Sequence, residues 1–190
     1  ALPQQLLALE VARDVTRGLD DRALPSERTG VLFGMTCDVR VTTHGIRWRA
    51  LEWSRRLAPG LSPRAREAWG EALRGAVAPP LTAPGVVGAM PNIVANRINT
   101  QLGLSGPSFV VSAEELSGIA GLELARTLIA AQDLDACIVG AVDDVRDPRH
   151  EDGLRALGLA SDPAASRASA TVALVVMERA RALSLVLPVL

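Results

Sequence analysis

The sequence contains no lysine and no tyrosine, although 20 of its 190 residues are basic. Every basic side chain is therefore an arginine, which excludes catalysis by this chain through a lysine Schiff base. Only two cysteines are present, Cys37 and Cys137. Two cysteines with this spacing exclude a framework of several disulfides and a cysteine-rich metal site.

A charge excess is also missing, because the formal net charge is -1. The sequence therefore has no basic footprint for nucleic acid and no polybasic segment for a membrane surface. No apolar run approaches the ~18 residues of a spanning helix, and the first residues do not form a signal peptide. We expect a cytoplasmic protein with no nucleic-acid or membrane partner. Because the chain begins without methionine, we also expect it to be a piece of a longer polypeptide.

Apolar side chains are abundant, at 48% of the residues, which is ample for a folded core. Short apolar runs bounded by glycine or polar residues predict buried strands at 30–35, 108–112, 136–142 and 168–176. Apolar residues at helical spacing predict helices at 6–16, 48–57, 63–73, 91–102 and 114–131. Strands that alternate with helices predict an α/β fold with a covered, largely parallel sheet.

Local features refine this pattern. Ser62 followed by Pro63 is typical of a helix start, with the serine as N-cap. The proline-rich link at 78–84 interrupts regular structure but is too short to separate two domains. The helix at 114–131 is apolar on nearly all faces, which predicts that it is buried. Its glycines, Gly118 and Gly121, allow a neighbouring element to approach closely.

Several motifs occur at the spacing of one protein family. Residues 88–92 read Gly-Ala-Met-Pro-Asn, 96–98 read Asn-Arg-Ile and 106–109 read Gly-Pro-Ser-Phe. With further motifs near both ends, they resemble the ketosynthase family of the thiolase superfamily over nearly the whole chain. The resemblance implies the N-terminal half of a thiolase-like α/β fold, with a mostly parallel central sheet between helices and αβαβα layers in the complete domain. Residues 1–190 would then be a single, incomplete segment of that domain.

In the family, a turn after the strand at 108–112 holds the nucleophilic cysteine at the N-terminus of a buried helix. Free N–H groups and a partial positive charge at a helix N-terminus favour a thiolate and stabilise an oxyanion. Here Glu115 stands at that position, with Glu114 and Ser112 adjacent. A glutamate cannot pass on an acyl chain as a thioester, so the resemblance implies no intact catalytic residue. On residue chemistry alone, both glutamates are ordinary first-turn residues of a helix.

Disarmed members of this family act as chain-length factors beside an active ketosynthase. The segments 35–38, 46–48 and 112–115 resemble the chain-length-factor domain of polyunsaturated fatty acid synthases. The resemblance implies a non-catalytic partner that forms a heterodimer with an active ketosynthase and shapes the acyl tunnel. It also implies an acyl carrier protein nearby, which presents acyl chains on phosphopantetheine, and no cofactor bound by this chain.

Two alternatives stay open. One is a decarboxylating, starter-loading enzyme with Glu115 in place of the cysteine, and the other is a fragment without activity. Decarboxylation in the family also uses two histidines of its second half, and neither His44 nor His150 matches them.

The resemblance also implies where a partner binds. In the family, the strand before the active-site turn pairs antiparallel with its counterpart across the dimer. The corresponding residues here form an apolar, β-prone strand: Ser108, Phe109, Val110 and Val111. We expect the helix at 91–102 to flank the same seam, with Met90 and Asn92 near the partner's acyl tunnel.

For the remaining polar residues that could form a functional site, a structural role is favoured. Asp143, Asp144 and Asp147 suggest a metal site, but no octahedral ligand set is apparent, so a solvated loop after a strand is favoured. The two histidines, His44 and His150, are expected in polar loops, exposed to solvent.

The cysteines and tryptophans are also expected to have structural roles. Cys37 is expected to be a small buried or loop-edge residue, and Cys137 is expected in the core because it lies inside an apolar run. The three tryptophans, at helical spacing, are expected to be packing or interface residues rather than part of a cofactor site: Trp48, Trp53 and Trp69.

Overall fold

The structure is a computed structural model that describes residues 2–159 and 168–189. Its strands are β1 (Thr29–Gly34), β2 (Ser108–Val111), β3 (Ala136–Asp143) and β4 (Ala170–Met177). Its α-helices are α1 (Pro3–Val15), α2 (Thr42–Leu57), α3 (Pro63–Val77), α4 (Ala83–Ala89), α5 (Val94–Gln101), α6 (Ser117–Ala130), α7 (Pro148–Ala156) and α8 (Arg179–Ser184).

The four strands form one sheet in the order β2-β1-β3-β4. β1 pairs in parallel with both β2 and β3, with Val31 beside Ser108 on one side and beside Ile138 on the other. β4 runs antiparallel to β3 along the full length of both strands. The predicted α/β fold, with a mostly parallel sheet flanked by helices, is therefore confirmed.

The two faces of the sheet carry separate cores. Val31 and Phe33 of β1 pack on one face with buried residues of α1 and α5: Ala8, Ala12, Val94, Ala95 and Ile98. Leu32 packs on the other face with Ala125 of α6 and with Cys137 and Val139 of β3. Because both faces are covered, all of β1 is buried, which explains its continuous apolar run in the sequence.

Glycines bring α6 against the sheet. A methyl group on Gly34 would lie 2.8 Å from the backbone nitrogen of Gly118. A methyl group on Gly118 would lie 3.2 Å from Cβ of Ala141, and one on Gly121 would lie 3.2 Å from Cγ1 of Val139. The close approach predicted for these two helical glycines is confirmed, and it fixes the start of α6 above the ends of β1 and β3.

The prediction that the helix at 114–131 is buried on most faces is wrong for the described structure. The residues of α6 that are buried are small: Ser117, Gly121 and Ala125. In contrast, Leu116 and Ile119 are 62% and 58% exposed. Only small side chains permit the close approach to the sheet, and no element of the described ranges covers the opposite, larger apolar face.

Other element boundaries also differ from the predictions. α4 begins inside the predicted proline-rich link, because Thr82 caps it by accepting a hydrogen bond from the backbone N–H of Gly85. The predicted helix at 91–102 is a 3₁₀ turn (Pro91–Ile93) followed by α5. The predicted cap of α3 is confirmed, since Ser62 accepts a hydrogen bond from the N–H of Ala65. Within the two described ranges, no helix combines the length and apolar character needed to cross a membrane.

Candidate functional site

A cleft of about 400 Å³ opens where the carboxyl ends of β1, β2 and β3 meet. In open α/β sheets this edge is the usual place for a ligand, because the chain connections diverge there. The cleft is lined on its apolar side by residues that include Met35, Val142, Leu154 and Val172. Its polar lining includes three carboxyl groups and one imidazole: Glu114, Glu115, Asp143 and His150.

The two glutamates reach the cleft on the turn that joins β2 to α6. This turn is a 3₁₀ helix (Glu114–Leu116), and α6 begins only at Ser117. The predicted start of the helix at Glu114 is therefore three residues too early. Glu115 precedes the first turn of α6 and does not belong to it, while Ser112 is exposed and does not line the cleft.

Ser117 holds this turn closed, a role that sequence reasoning missed. Its hydroxyl oxygen accepts a hydrogen bond from the N–H of Ala113 at 2.9 Å, and the hydroxyl donates to the carbonyl oxygen of Glu114 at 2.6 Å. Glu114 has a positive φ of 52°, a conformation that costs a residue with a Cβ about 1–2 kcal/mol. The turn is thus strained at Glu114, and the buried hydroxyl of Ser117 fixes its conformation.

The strand predicted to bind a partner is an edge of the sheet. β2 pairs with β1 on one side, and its other side has no strand beside it in the described ranges. Phe109 is 39% exposed, whereas Ser108, Val110 and Val111 are half-buried. The hydroxyl of Ser108 donates to Oδ1 of Asn96 at 2.8 Å, which ties β2 to α5.

Met90 and Asn92, predicted to lie near an acyl tunnel, are both exposed. Their loop is held by Gln5, a buried residue of α1 that sequence reasoning did not single out. Its Nε2 donates to the carbonyl oxygens of Met90 at 2.9 Å and Val87 at 3.3 Å. Arg97 donates to Oε1 of Gln5 at 2.6 Å. A glutamine on the apolar face of a helix is the signal that would have indicated this contact.

His150 does not lie in a polar loop, as the sequence predicted. It stands in the first turn of α7, half-buried, and faces the same cleft as Glu115. His44 is likewise helical, near the start of α2, and its Nδ1 is buried without a hydrogen-bond partner among the described residues. Both predictions failed because polar helices carry no apolar period that reveals them.

The acidic segment after β3 is also not simply solvated. The side chain of Asp144 is fully buried, and it accepts hydrogen bonds from Arg146 at 2.6 Å, Arg40 at 2.9 Å and Ser169 at 2.8 Å. The hydrogen bond from Arg146, followed by those from Arg40 and Ser169, holds the pKa of Asp144 far below its usual range. Asp143 is exposed, as predicted.

Asp147 extends this ion-pair cluster to α7. It caps the helix by accepting from the N–H of Arg149 at 3.0 Å, and it pairs with the Arg149 side chain at 2.6 Å. The side-chain hydrogen bond from Arg149 lowers the pKa of Asp147 to about 2. Among the described residues, no group of three His, Cys, Asp or Glu side chains is arranged to hold a metal ion.

No thiol of the described chain lines the cleft. Cys37 is exposed at the end of a loop, and Cys137 is fully buried in β3, as predicted. Burial raises the pKa of the Cys137 thiol to about 12, so it stays protonated at neutral pH. The cleft can therefore offer carboxylate and imidazole chemistry, and no nucleophilic sulfur.

The fold is shared with solved ketosynthases. The PfaC keto synthase–chain length factor is 29% identical, with a TM-score of 0.64, over 75% of this chain and 16% of the solved chain. The ishigamide ketosynthase/chain length factor is 17% identical, with a TM-score of 0.66, over 94% of this chain and 44% of the other. The module 6 ketosynthase of the bacillaene synthase from Bacillus subtilis 168 is 18% identical, with a TM-score of 0.62, over 96% and 28%.

The chain spans less than half the length of each of these solved chains. No curated protein matches its sequence significantly. Residues 2–174 match the family described as beta-ketoacyl synthase, N-terminal domain. This match covers most of the sequence and includes the strands and the turn that form the cleft. The chain belongs to the beta-ketoacyl synthase family, and the part of it seen here is the N-terminal domain.

Proposed function

We propose that this chain is a non-catalytic chain-length factor, which pairs with an active ketosynthase and shapes the acyl tunnel in polyunsaturated fatty acid or polyketide biosynthesis. The observation that carries the proposal is Glu115. It lines the cleft at the carboxyl ends of the parallel strands, on the turn where the resemblance places a nucleophilic cysteine. The names of two similar structures include a chain length factor, which supports the same role.

The carboxylates of the cleft favour this role over decarboxylation. A starter-loading decarboxylase has to bind a malonyl group, which carries a negative charge. Glu114, Glu115 and Asp143 line the cleft, and no arginine of the described ranges does. The negative charges of these carboxylates repel a malonyl group, so a neutral acyl chain suits the cleft better.

The exposed edge of β2 supports pairing with a ketosynthase. An unpaired edge strand offers a row of free N–H and C=O groups, and a second strand can satisfy them. Phe109 adds exposed apolar surface along this edge. Met90 and Asn92 are also exposed, which suits residues that border a partner's tunnel.

The partner needs its own cysteine, because two disarmed chains would have no nucleophile between them. Its acyl chains would arrive on the phosphopantetheine of a carrier protein, the second partner in this proposal. The present chain would then bind no cofactor of its own.

The test is to weaken the β2 edge in the complete synthase. Val110→Lys places a charge in the strand that is proposed to pair with the partner. Phe109→Glu places a charge at the neighbouring residue, whose side chain is more exposed than that of Val110. Leu183→Lys is the matched control, because Leu183 is an apolar α8 residue with 57% exposure. We expect both β2 variants, and not the control, to lose co-purification with the ketosynthase and to lose product.

Sedimentation of the complex gives the association state, and circular dichroism shows whether each variant is folded. If folded Val110→Lys and Phe109→Glu both keep the association and the product profile, the proposed pairing is wrong.

A further inference from the structure

The two helices α2 and α3 carry a local charge that the whole chain does not. Residues 42–77 contain seven arginines and three glutamates, a net charge of +4, whereas the whole chain has a net charge of -1. We call these residues the basic hairpin. The two helices pack closely, because Gly70 of α3 lies against Leu51 of α2 with no room for a side chain.

Four arginines of the basic hairpin are exposed and form no ion pair with a described residue: Arg49, Arg55, Arg56 and Arg64. This differs from the arginines around Asp144 and Asp147, which are all paired. Unpaired guanidinium groups in this number create a positive potential that attracts carboxylates.

A groove of about 460 Å³ lies at one end of the basic hairpin, between the start of α2, the end of α3 and the segment that follows α3. Its lining includes Arg47 and Arg74, and the four unpaired arginines lie outside it on the same two helices. Trp48 stands on its rim with 84% of its surface exposed, and Leu81 is 49% exposed. Pro80 and the partly buried His44 complete the apolar and aromatic lining.

Arg47 makes this groove a fixed feature of the hairpin. It donates to the carbonyl oxygen of Arg74 in α3 and to that of Ala78 at 2.6 Å and 2.9 Å. These contacts join α2 to the carboxyl end of α3, where a cation is favourable. The hydrogen bonds of Arg47 therefore hold the two sides of the groove together, and the exposed Trp48 is the next residue of α2.

We propose that the basic hairpin docks an acidic protein partner. The partner places one of its apolar side chains in the groove beside Trp48, and its carboxylates contact the exposed arginines of the hairpin. Tryptophan and arginine are the residues most often found at the energetic centre of protein interfaces. A concave groove suits an inserted side chain, whereas a lipid surface is flat. The proposal uses no residue of the β2 edge.

The test measures binding of the full chain to a synthetic acidic helix of about 20 residues, with leucines on one face and glutamates on the other. A peptide with glutamine in place of every glutamate is the control ligand. Fluorescence anisotropy of the labelled peptides gives the affinity. We expect the acidic peptide to bind, the neutral peptide to bind at least about tenfold more weakly, and added salt to weaken the acidic complex.

Two variants locate the site. Trp48→Ala is expected to weaken binding about 30-fold, the loss typical of an interface tryptophan, and Arg55→Glu with Arg56→Glu is expected to weaken it at least as much. Arg126→Glu is the matched control, because Arg126 is an exposed arginine of α6. All substituted residues are exposed, and thermal melts confirm folding.

The proposal is overturned if the hairpin variants bind the acidic peptide like the unmodified chain. It is also overturned if the same residues are needed for binding to phosphatidylserine vesicles or to single-stranded RNA while the peptide does not bind. Because the β2 variants are measured separately, this outcome leaves the proposed pairing with a ketosynthase intact.

Discussion

Thr29 opens β1 with a fully buried side chain, and its hydroxyl has no hydrogen-bond partner in the described structure. A buried hydroxyl without a partner has lost its water contacts and gained nothing in exchange. We predict that Thr29→Val, which keeps the shape and the preference for a strand, raises the free energy of unfolding by about 1 kcal/mol.

Urea denaturation of the complex with its partner measures this change. Thr16→Val is the matched control, because the hydroxyl of Thr16 donates to the carbonyl oxygen of Ala12 at 2.9 Å. The control is expected to lose about 0.5–1.5 kcal/mol. Equal losses for the two variants would show that Thr29 has a partner that the structure does not show.

Glu115, at the position of the family's cysteine, predicts that the chain forms no acyl-enzyme. Incubation with an acyl thioester is expected to leave no covalent acyl group on the chain, because acyl transfer to the Glu115 carboxylate, with release of the thiol, would give a mixed anhydride that water hydrolyses. Glu115→Cys is expected not to restore condensation, since the resemblance places the two catalytic histidines outside this half.

Intact-mass spectrometry checks the adduct, and release of a β-ketoacyl product checks condensation. Glu115→Gln serves as the control for non-specific acylation elsewhere in the chain. A stable adduct that maps to Glu115, or condensation by Glu115→Cys, would contradict the non-catalytic role.

Among the elements, the ion-pair cluster after β3 fixes the position of α7. Asp147 caps this helix and also lies 3.7 Å from Arg40, which precedes α2. Arg40 in turn contacts Asp38 and Asp144, so one arginine joins the ends of β1 and β3. Because His150 stands one turn into α7, the cluster also places the imidazole at the cleft.

This cluster predicts a specific dependence of stability on pH. The pKa of Asp147 is about 2 in the folded chain, and an unfolded aspartate has a pKa of about 3.9. A lowered pKa stabilises the fold above the unfolded value, and this stabilisation is lost as the pH falls to the folded value. We therefore expect Asp147→Asn to cost about 1–2 kcal/mol near neutral pH.

The difference between Asp147→Asn and the unmodified chain is expected to stay constant above about pH 5, to be mostly lost by about pH 2 and to vanish below the folded pKa of about 2. Urea denaturation across this range measures it. Asp152→Asn is the control, because Asp152 has an exposed ion pair with Arg155. A difference that persists unchanged at pH 2 would contradict the role of the cluster.

The pattern of apolar residues was enough to predict all four strands, because burial on both faces of a sheet leaves continuous apolar runs. Apolar residues at helical spacing were enough to predict five of the helices. It was not enough for α7, whose residues are mostly polar and whose place depends on Arg40, about 100 residues earlier in the chain. The turn at Glu114–Leu116 was predicted as part of the helix because 3₁₀ turns are frequent at the start of α-helices, and the residue pattern does not mark where one becomes the other. One apolar face of α6 is exposed because no element of the described ranges packs on it. The local pattern of residues cannot show which elements pack on a helix face.

For the site, family motifs located Glu114 and Glu115 in the cleft but gave no indication of His150. The motif residues are neighbours in sequence, whereas the imidazole reaches the cleft through a helix placed by distant ion pairs. The roles assigned to Glu115 and to the β2 edge stay predictions.

At the scale of the whole molecule, apolar surface is exposed at several places. Leu116 of the turn before α6, Ile119 of α6, Val172 of β4 and Phe109 of β2 are between 39% and 62% exposed. We predict that the isolated chain binds a hydrophobic dye such as ANS and unfolds over a broad temperature range, because no element of the described ranges covers these faces.

Dye fluorescence and calorimetry of the isolated chain test this expectation. The matched control is the chain in complex with a ketosynthase partner, where dye binding should fall. A sharp, cooperative transition of the isolated monomer without dye binding would contradict it.

The strand order also has a consequence for synthesis on the ribosome. β1 emerges before its two neighbours in the sheet, which lie about 75 and 105 residues further along the chain. At translation rates of 5–20 residues per second, the buried apolar residues of β1 wait roughly 5 to 20 seconds for their pairing partners. We expect only local helices to form during that interval. Nascent chains stalled between β1 and β3 should therefore recruit chaperones, and this protection should end once β3 has left the exit tunnel.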